Sequence, residues 1–368
     1  HTVHLSLLST SPILIMATSQ TSPLKNSFET ATQVTMEASK VTEQSTPSIP
    51  KFLEEVEQSP EREKLIASLP TNEFMIGNKC YQYEGFWYVK KQLVGTLSCQ
   101  EQFQAHESDI FLISAPKTGT TWLKALAFAT LRRRQFTEEN QHPLLFANPH
   151  DLVPFVEYEF HENSPHILDM VEHPRLLSSH IPSVSLPVSV HEKRCKIVYV
   201  CRNPKDSFVS LWNFMNKIRA AGKQEISLDE AVKKFTDGIT AQGPFFDHVL
   251  GYWKLSQEDP TRVLFLKYED MKKDGREEVK KLAEFLGCPF SPEEVADGLV
   301  DKIVNLCSFD SLSNLDVNKN GKLKIGVPNM SFFRQGEIGD SAVQLSLENA
   351  KLIDQVTEEK FCGSGLIL

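Results

Sequence analysis

The sequence lacks several features that mark common classes of protein. No run approaches the roughly 18 consecutive apolar residues of a membrane-spanning helix, so we expect no membrane partner. The 39 Lys and Arg residues are outnumbered by 48 Asp and Glu residues, which gives a formal net charge of -9. This charge argues against a general affinity for nucleic acid or anionic membranes. A small anion can be held locally by a few cations and backbone N–H groups.

Metal-binding and disulfide patterns are also missing. The seven cysteines are scattered, odd in number and never spaced as C-x-x-C. This argues against a structural zinc site and against a disulfide framework. It favours a reducing, cytoplasmic compartment. The Walker A pattern G-x-x-x-x-G-K-[ST] is absent as well.

The sequence has the composition of a globular enzyme, with 40 % hydrophobic and 24 % charged residues. Residues 1–50 are rich in Ser, Thr and Pro and are predicted to be a disordered tail. We interpret residues 1–15 as translated upstream sequence before a start at Met16; a secretory signal and a transit peptide are the alternatives. Residues 51–80 are predicted to form an N-terminal helix and lead-in, and residues 81–368 the main domain.

Short apolar runs alternate with amphipathic helical patterns. The predicted strands are 85–89, 109–114, 196–201 and 262–267, and the predicted helices are 51–70, 121–133, 206–217 and 276–286. This alternation predicts a single α/β domain with a central, mostly parallel sheet flanked by helices and a P-loop-like nucleotide-binding core. Ligands of such sheets bind at the carboxyl ends of the strands.

The loop at residues 114–122 (SAPKTGTTW) follows one of these strands and has the composition of an anion cradle. Gly119 lets the main chain approach a phosphate closely. The N–H groups of residues 118–121 open a helix whose positive end favours an anion. Lys117 adds a mobile ammonium, and Thr120 and Thr121 add hydroxyl donors. An ordinary polar turn between a strand and a helix is the alternative.

This loop resembles the 5′-phosphosulfate loop of the cytosolic sulfotransferases, which use 3′-phosphoadenosine 5′-phosphosulfate (PAPS). Other segments similar to that family are 201–210 (CRNPKDSFVS), 265–271 (FLKYEDM) and 332–340 (FFRQGEIGD), and those similar to its plant branch are 148–155 (NPHDLVPF) and 251–253 (GYW). The resemblance covers residues 75–368. It implies sulfuryl transfer to the hydroxyl of a small acceptor of the flavonoid, steroid, jasmonate or desulfoglucosinolate type.

The resemblance also implies a set of nucleotide-binding residues. Arg202 and Ser210 are expected to hold the 3′-phosphate, Trp122 and Phe309 to stack on the adenine, and Tyr268 to hydrogen-bond it. The full set is Lys117, Thr118, Gly119, Thr120, Thr121, Trp122, Arg202, Ser210, Tyr268, Ser308, Phe309, Arg334, Gln335 and Gly336. Arg202 could instead pair with a carboxylate such as Asp206, and each aromatic ring could simply belong to the core.

His180 lies in residues 176–182 (LLSSHIP), where the family places its general base. From the residues alone, a His at the end of an apolar strand is more often structural. Imidazole can take a proton from an attacking hydroxyl near neutral pH. The resemblance implies a direct in-line transfer in which Lys117 neutralises the leaving oxygen and Ser210 holds Lys117 back until the acceptor binds. No metal is required, since Lys and backbone dipoles supply the stabilisation.

The sequence departs from the family pattern in three places. Ser341 stands where the family usually has the Trp of a G-D-W motif. Gln335 stands where the family usually has Lys, which predicts weaker nucleotide binding because a neutral hydrogen bond is weaker than a charge-assisted one. The K-x-x-x-T-V dimer motif of the animal members is missing at residues 342–347, which predicts a monomer.

Two further sets of residues are assigned from the sequence. The acceptor pocket is predicted to be walled by Phe155, Tyr158, Phe160, Phe245 and Phe246. Four other histidines are predicted to be surface or loop residues: His142, His150, His191 and His248.

Two other function classes stay open at this point. A P-loop kinase or NTPase would require a Walker A lysine and a carboxylate for Mg²⁺ at a strand end, and neither is evident. A nucleotide-binding or scaffold relative without activity is suggested by Gln335. The retention of Lys117, His180 and Ser210 argues against this second class.

Overall fold

The computed structural model describes residues 58–75, 77–162, 165–219 and 226–368. The tail predicted at residues 1–50 therefore lies outside the described residues. All seven cysteines fall within the described ranges as free thiols. Among the helices in these ranges, none combines the length and the apolar character that a bilayer crossing requires.

Within these described ranges, seven strands form two sheets. In chain order, β1 to β7 are Thr71–Glu73, Lys79–Tyr83, Phe86–Val89, Ile110–Ser114, Leu176–Ser179, Lys196–Cys201 and Val263–Lys267. Strands β1, β2 and β3 form a small antiparallel sheet, and a parallel sheet has the order β5-β4-β6-β7. The predicted α/β fold with a parallel central sheet is thus confirmed, and the predicted strands correspond to β3, β4, β6 and β7. Strands β1 and β2 were not predicted.

Helices flank the parallel sheet. In chain order, α1 to α18 are Pro60–Ser68, Lys90–Gln102, Thr120–Arg132, Pro149–Leu152, Val156–His161, His166–Asp169, Val188–Glu192, Pro204–Ile218, Leu228–Thr236, Phe245–Glu258, Tyr268–Lys273, Gly275–Leu286, Pro292–Ala296, Leu299–Leu306, Phe309–Asn314, Asp316–Asn320, Ser341–Gln344 and Leu347–Phe361. The predicted helices correspond to α1, α3, α8 and α12.

Local sequence explains where two of these helices begin and end. Helix α8 begins at Pro204, which has no N–H to leave unpaired, and the side chain of Asn203 accepts the N–H of Lys205 at 3.0 Å. Helix α12 ends at Gly287, whose φ of 81° lies in the left-handed region.

The parallel sheet is buried on both faces. Alternate residues of β4 and β6 point to opposite sides, so Ile113 and Tyr199 join one hydrophobic cluster while Leu112 and Val198 join the other. Burial on both faces accounts for the continuous apolar runs of these strands. Ile113 pairs with both Tyr199 and Ser179, so β4, β5 and β6 end at one edge of the sheet.

Candidate active site

A cavity of about 340 Å³ lies at the carboxyl edge of the parallel sheet. The residues that directly follow β5, β6 and β7 line it, namely His180, Arg202 and Tyr268. The loop after β4 lines it as well. Of the catalytic and nucleotide-binding residues predicted from the sequence, all except Thr118 line this cavity. The structure therefore brings together side chains that are more than 200 positions apart in the chain.

The loop between β4 and α3 has an unusual backbone. Lys117 and Gly119 have φ angles of 70° and 117°, in the left-handed region that glycine adopts most easily. A Cβ atom added at Gly119 would lie 2.9 Å from Cδ2 of Tyr268, so this position also requires the absence of a side chain. The hydroxyl of Thr118 donates to two backbone carbonyls, one of them that of Val200 at 3.1 Å. Thr118 thus anchors the loop to the sheet.

Helix α3 begins with two threonines that point to different partners. The hydroxyl of Thr120 lies 2.6 Å from Oγ of Ser114, inside the protein. The hydroxyl of Thr121 lies 3.0 Å from Nε2 of His150, on the wall of the cavity. The first N–H groups of a helix have no partner within the helix and carry the positive end of its dipole. The cavity is therefore suited to an anion at this point.

Positive charge is concentrated around Lys117. Its ammonium lies 4.4 Å from the centre of the Phe214 ring. Burial, together with the positive charges of Arg334, Lys217 and Arg202, lowers the pKa of Lys117 to about 7. An anion bound among these cations would favour the protonated amine again. The electrostatic character of this end of the cavity is that of a phosphate or sulfate site.

Arg202 is held by a backbone and a side-chain contact, both made by its Nη2 atom, whereas its Nε atom makes no such contact among the described residues. Its Nη2 donates to the carbonyl oxygen of Glu337 at 2.6 Å and lies 3.6 Å from a carboxylate oxygen of Asp206, so the pairing considered as an alternative is present. The Nε atom is buried and has no hydrogen-bond partner among the described residues. Ser210, also buried, lines the same cavity. A bound anion could accept a hydrogen bond from this Nε.

His180 is oriented by hydrogen bonds on three of its atoms. Its Nδ1 lies 2.7 Å from the carbonyl oxygen of Ser114, and because a carbonyl only accepts, Nδ1 carries the proton and Nε2 carries the lone pair. The backbone N–H of His180 donates to Glu157 at 2.8 Å, and its carbonyl accepts from Nε2 of His248 at 3.0 Å. Burial is the main cause that lowers the pKa of His180 to about 3, and the charge of Lys124 contributes. The imidazole is therefore neutral.

Aromatic rings form a slot beside the loop. Trp122 contacts Tyr268 edge to face, with ring centroids 5.3 Å apart, and Phe309 meets Phe333 at 6.2 Å. Trp122 and Phe309 both line the cavity. The hydroxyl of Tyr268 donates to the carbonyl oxygen of Gly336 at 2.8 Å, so a hydrogen bond from a ligand would have to use the phenolic oxygen as acceptor.

The segment at residues 332–340 closes the slot from one side. Gly336 has a φ of 69°, and a Cβ atom added there would lie 2.4 Å from Cδ2 of Phe309. Arg334 forms an ion pair with Asp340, and its Nε is buried without a hydrogen-bond partner among the described residues. Gln335 lines the cavity next to it. This segment thus brings a glycine, a guanidinium and an amide to one wall.

Comparison with known proteins identifies the family. Residues 107–365 match the family model described as the sulfotransferase domain. The chain belongs to the sulfotransferase family. Two Arabidopsis thaliana relatives are cytosolic sulfotransferase 12, 47 % identical over 324 residues (88 % of this chain and 98 % of that protein), and cytosolic sulfotransferase 13, 46 % identical over 318 residues (86 % and 96 %).

Solved structures agree with this assignment. A crystal structure of a candidate steroid sulphotransferase from Arabidopsis thaliana is 40 % identical, covers 87 % of this chain and 100 % of its own, and has a TM-score of 0.68. A mouse sulfotransferase complexed with PAP is 26 % identical, covers 77 % of this chain and 95 % of its own, and has a TM-score of 0.59. The fold of this sulfotransferase and the sulfotransferase class of its activity are therefore established.

The prediction that four other histidines lie on the surface or in loops was wrong for two of them. His150 and His248 are buried residues of helices α4 and α10, whereas His142 does lie in a loop, where it is buried. His248 is part of the hydrogen-bond chain under His180, and His150 lines the cavity itself. Their burial depends on which distant segments pack over them, which local sequence does not reveal.

The walls predicted for the acceptor pocket were partly wrong. Phe155 and Tyr158 line the cavity, whereas Phe160, Phe245 and Phe246 belong to the hydrophobic core. Residues that the sequence reasoning missed line the pocket instead: Gln92, Asn213, Phe214, Met215, Lys217, Ala241, Gln242, Leu323, Ile325, Val327 and Phe332. The helical run from residue 204 to residue 218 could have suggested those near position 214, because they lie one or two turns beyond Ser210 on that helix.

Proposed function

We propose that this sulfotransferase transfers a sulfuryl group from PAPS to the hydroxyl of a small organic acceptor, with His180 as the base. The observation that carries the proposal is the placement of His180 and Lys117 on one cavity, after the neighbouring strands β5 and β4. A candidate proton acceptor, His180, and a candidate cation, Lys117, thus line the same cavity. The mouse relative that binds PAP, the nucleotide left after such a transfer, supports PAPS as the donor.

His180 takes the proton of the acceptor hydroxyl at Nε2, because Nδ1 donates to Ser114. Its pKa of about 3 would make it a weak base, and part of that lowering comes from the charges of Lys124 and Lys117. An anionic donor beside Lys117 opposes these charges. His180 therefore becomes a stronger base when the donor is bound, which ties proton removal to the presence of both substrates.

The remaining residues hold the nucleotide. PAPS supplies the activated sulfuryl group. The Nε of Arg202 has no hydrogen-bond partner in the part of the chain that the structure describes, and Arg202 and Ser210 line the same cavity, so the two suit the 3′-phosphate. Trp122 and Phe309 offer faces for the adenine. Lys117 and the N–H groups at the start of α3 supply the electrostatic stabilisation that a metal ion supplies in many phosphoryl-transfer sites, so the proposed sulfuryl transfer requires no metal.

The acceptor, compartment and assembly are part of the same proposal. Besides His180, the cavity is lined by the apolar side chains of Phe155, Met215 and Val327 and by the amides of Gln92 and Gln242. This lining suits an apolar hydroxylated molecule of the flavonoid, steroid, jasmonate or desulfoglucosinolate type. We propose the cytosol as the compartment, as the names of the relatives indicate for those proteins, and a monomer as the active form.

The test combines transfer and binding. Purified protein is incubated with radiolabelled PAPS and acceptors from the four classes, and its melting temperature is measured with adenosine 3′,5′-bisphosphate or with ATP and Mg²⁺. Label is expected on at least one acceptor, and stabilisation is expected from the bisphosphate. Stabilisation by ATP and Mg²⁺ alone, with no labelled product, would contradict the proposal and favour a P-loop kinase or NTPase.

A further inference from the structure

His150 contacts the first turn of helix α3, where the proposed phosphate loop ends. Its Nε2 lies 3.0 Å from the hydroxyl oxygen of Thr121, in the first turn of α3. The imidazole stacks on Phe155, with centroids 5.4 Å apart and planes at 18°, and meets Phe332 at 4.4 Å. About nine-tenths of the residue is buried. The ring is thus held in one orientation by packing.

The surroundings of His150 decide which nitrogen carries its proton. Burial, with the charges of Lys124, His180 and Lys117, lowers the pKa of His150 well below its usual value, so the ring is neutral. Its Nδ1 is buried and has no hydrogen-bond partner among the described residues. A buried N–H without an acceptor is rarer and more costly than a buried lone pair. The proton therefore lies on Nε2, which donates to Thr121.

This assignment leaves the hydrogen of the Thr121 hydroxyl available. The oxygen accepts from His150, so its own O–H is directed elsewhere, and Thr121 lines the cavity. Of the other two threonines of the loop, Thr118 donates its hydroxyl hydrogen to backbone carbonyls. Thr120 is buried, with its hydroxyl 2.6 Å from Oγ of Ser114, whereas Thr121 is only partly buried. Thr121 is therefore the hydroxyl of this loop that is best placed to donate to a ligand.

We propose that His150 is a positioning residue that fixes the hydroxyl of Thr121 as a hydrogen-bond donor to the phosphosulfate end of the nucleotide. The inference rests on the proposed function. His150 does not contact the donor in this account; it acts only through Thr121. The role is distinct from that of His180, whose ring also contacts Phe155, with centroids 4.7 Å apart.

The tautomer of His150 is the first test. Nitrogen NMR of the ¹⁵N-histidine-labelled protein without ligand distinguishes a proton on Nε2 from a proton on Nδ1. The signal is assigned by its loss in the His150→Phe variant. A proton on Nε2 is expected. A proton on Nδ1 would overturn the inference, because Thr121 would then donate to His150 and could not donate to the nucleotide.

A double-mutant cycle is the second test. His150→Phe keeps the ring packing and removes the donor, and its kcat/KM for PAPS is expected to fall roughly tenfold, the loss of one hydrogen bond to a charged group. His150→Gln, whose amide reaches a similar position, is expected to stay within about threefold of the unsubstituted protein. In a Thr121→Val background His150→Phe should cause no further loss. The inference would be overturned if His150→Phe lowered kcat/KM equally in the Thr121→Val background. It would also be overturned if His150→Phe alone left kcat/KM unchanged.

Controls distinguish a failure of the inference from misfolding of a variant and from a failure of the proposed function. Melting temperatures show whether His150→Phe folds; if it does not, His150→Asn replaces it, since its amide falls short of Thr121 yet stays polar. The KM of the acceptor is expected to stay unchanged. If the unsubstituted protein does not use PAPS, the proposed function fails. The NMR measurement still shows whether His150 donates to Thr121 or accepts from it. If it uses PAPS and the two substitutions are additive, only the inference fails.

Discussion

The imidazole Nδ1 of His180 lies 2.7 Å from the carbonyl oxygen of Ser114, the last residue of β4. The same strand leads into the loop that carries Lys117. His180 and the loop that carries Lys117 are therefore joined by this hydrogen bond at the edge of the sheet. The contact sets the tautomer of the proposed base and its position relative to the loop.

Nucleotide binding should depend on pH through Lys117. Its pKa of about 7 in the empty site rises when an anion binds, because the ammonium is the form that pairs with phosphate. Affinity for adenosine 3′,5′-bisphosphate is therefore expected to be highest at and below about pH 7 and to fall as the pH rises above it, by up to about tenfold per unit. Calorimetric titrations between about pH 7 and about pH 9, where the phosphates are already fully ionised, measure this.

The matched control is Lys117→Arg. The guanidinium stays charged over the whole range, so its binding should be independent of pH. Identical profiles for the two proteins would show that Lys117 does not titrate on binding.

Gly336 and Gly339 form a matched pair for testing the aromatic slot. Both have a positive φ, but an added Cβ lies 2.4 Å from Phe309 at Gly336 and meets nothing within 4 Å at Gly339. Alanine at either position introduces backbone strain of roughly 1–2 kcal/mol, while only Gly336→Ala displaces Phe309. We expect nucleotide affinity to fall markedly more in Gly336→Ala than in Gly339→Ala. Equal affinities, measured by titration, would mean that Phe309 does not contact the adenine.

Gln335 lines the cavity beside the cations of the anion site. Replacing it with Lys adds a charge-assisted bond to the 3′-phosphate, which contributes roughly 1.5–3 kcal/mol against about 1 kcal/mol for a neutral one. Gln335→Lys should therefore tighten the binding of adenosine 3′,5′-bisphosphate severalfold, and the gain should shrink at high salt. An unchanged dissociation constant would place Gln335 away from the phosphate.

A buried ion pair far from the cavity should govern stability without affecting binding. Arg175 donates to Asp109 at 2.6 and 2.8 Å, with both side chains buried. Arg175→Met leaves a buried carboxylate unpaired and should lower the free energy of unfolding by about 3–5 kcal/mol. Lys233→Met, which breaks an exposed pair with Asp237, should change it by at most about 1 kcal/mol. Chemical denaturation compares them, and similar losses would contradict this account of the pair.

Local sequence was sufficient for the parts of the site that follow strands directly. The runs that became β4 and β6 are apolar because both sheet faces are covered, and such runs are recognisable without a structure. Lys117, His180 and Arg202 follow the ends of β4, β5 and β6. Because ligands of such sheets bind at the carboxyl ends of the strands, these three residues could be predicted to lie at one site.

The acceptor wall could not be predicted in the same way. Gln92 and Gln242 come from segments about 150 residues apart and reach the cavity only through tertiary packing. His150 was misjudged for a related reason, since the ring of Phe332, more than 180 residues later, covers it. Phe245 and Phe246 were assigned to the wall because aromatic residues suit both a pocket and a core, and packing alone distinguishes the two.

The measurement that tests the central claim most directly is transfer of radiolabelled sulfate from PAPS by the His180→Ala variant, with titration of adenosine 3′,5′-bisphosphate in parallel. The account predicts that transfer falls by at least about a hundredfold while the dissociation constant of the nucleotide stays close to that of the unsubstituted protein. Normal transfer by this variant would contradict the assignment of His180 as the base.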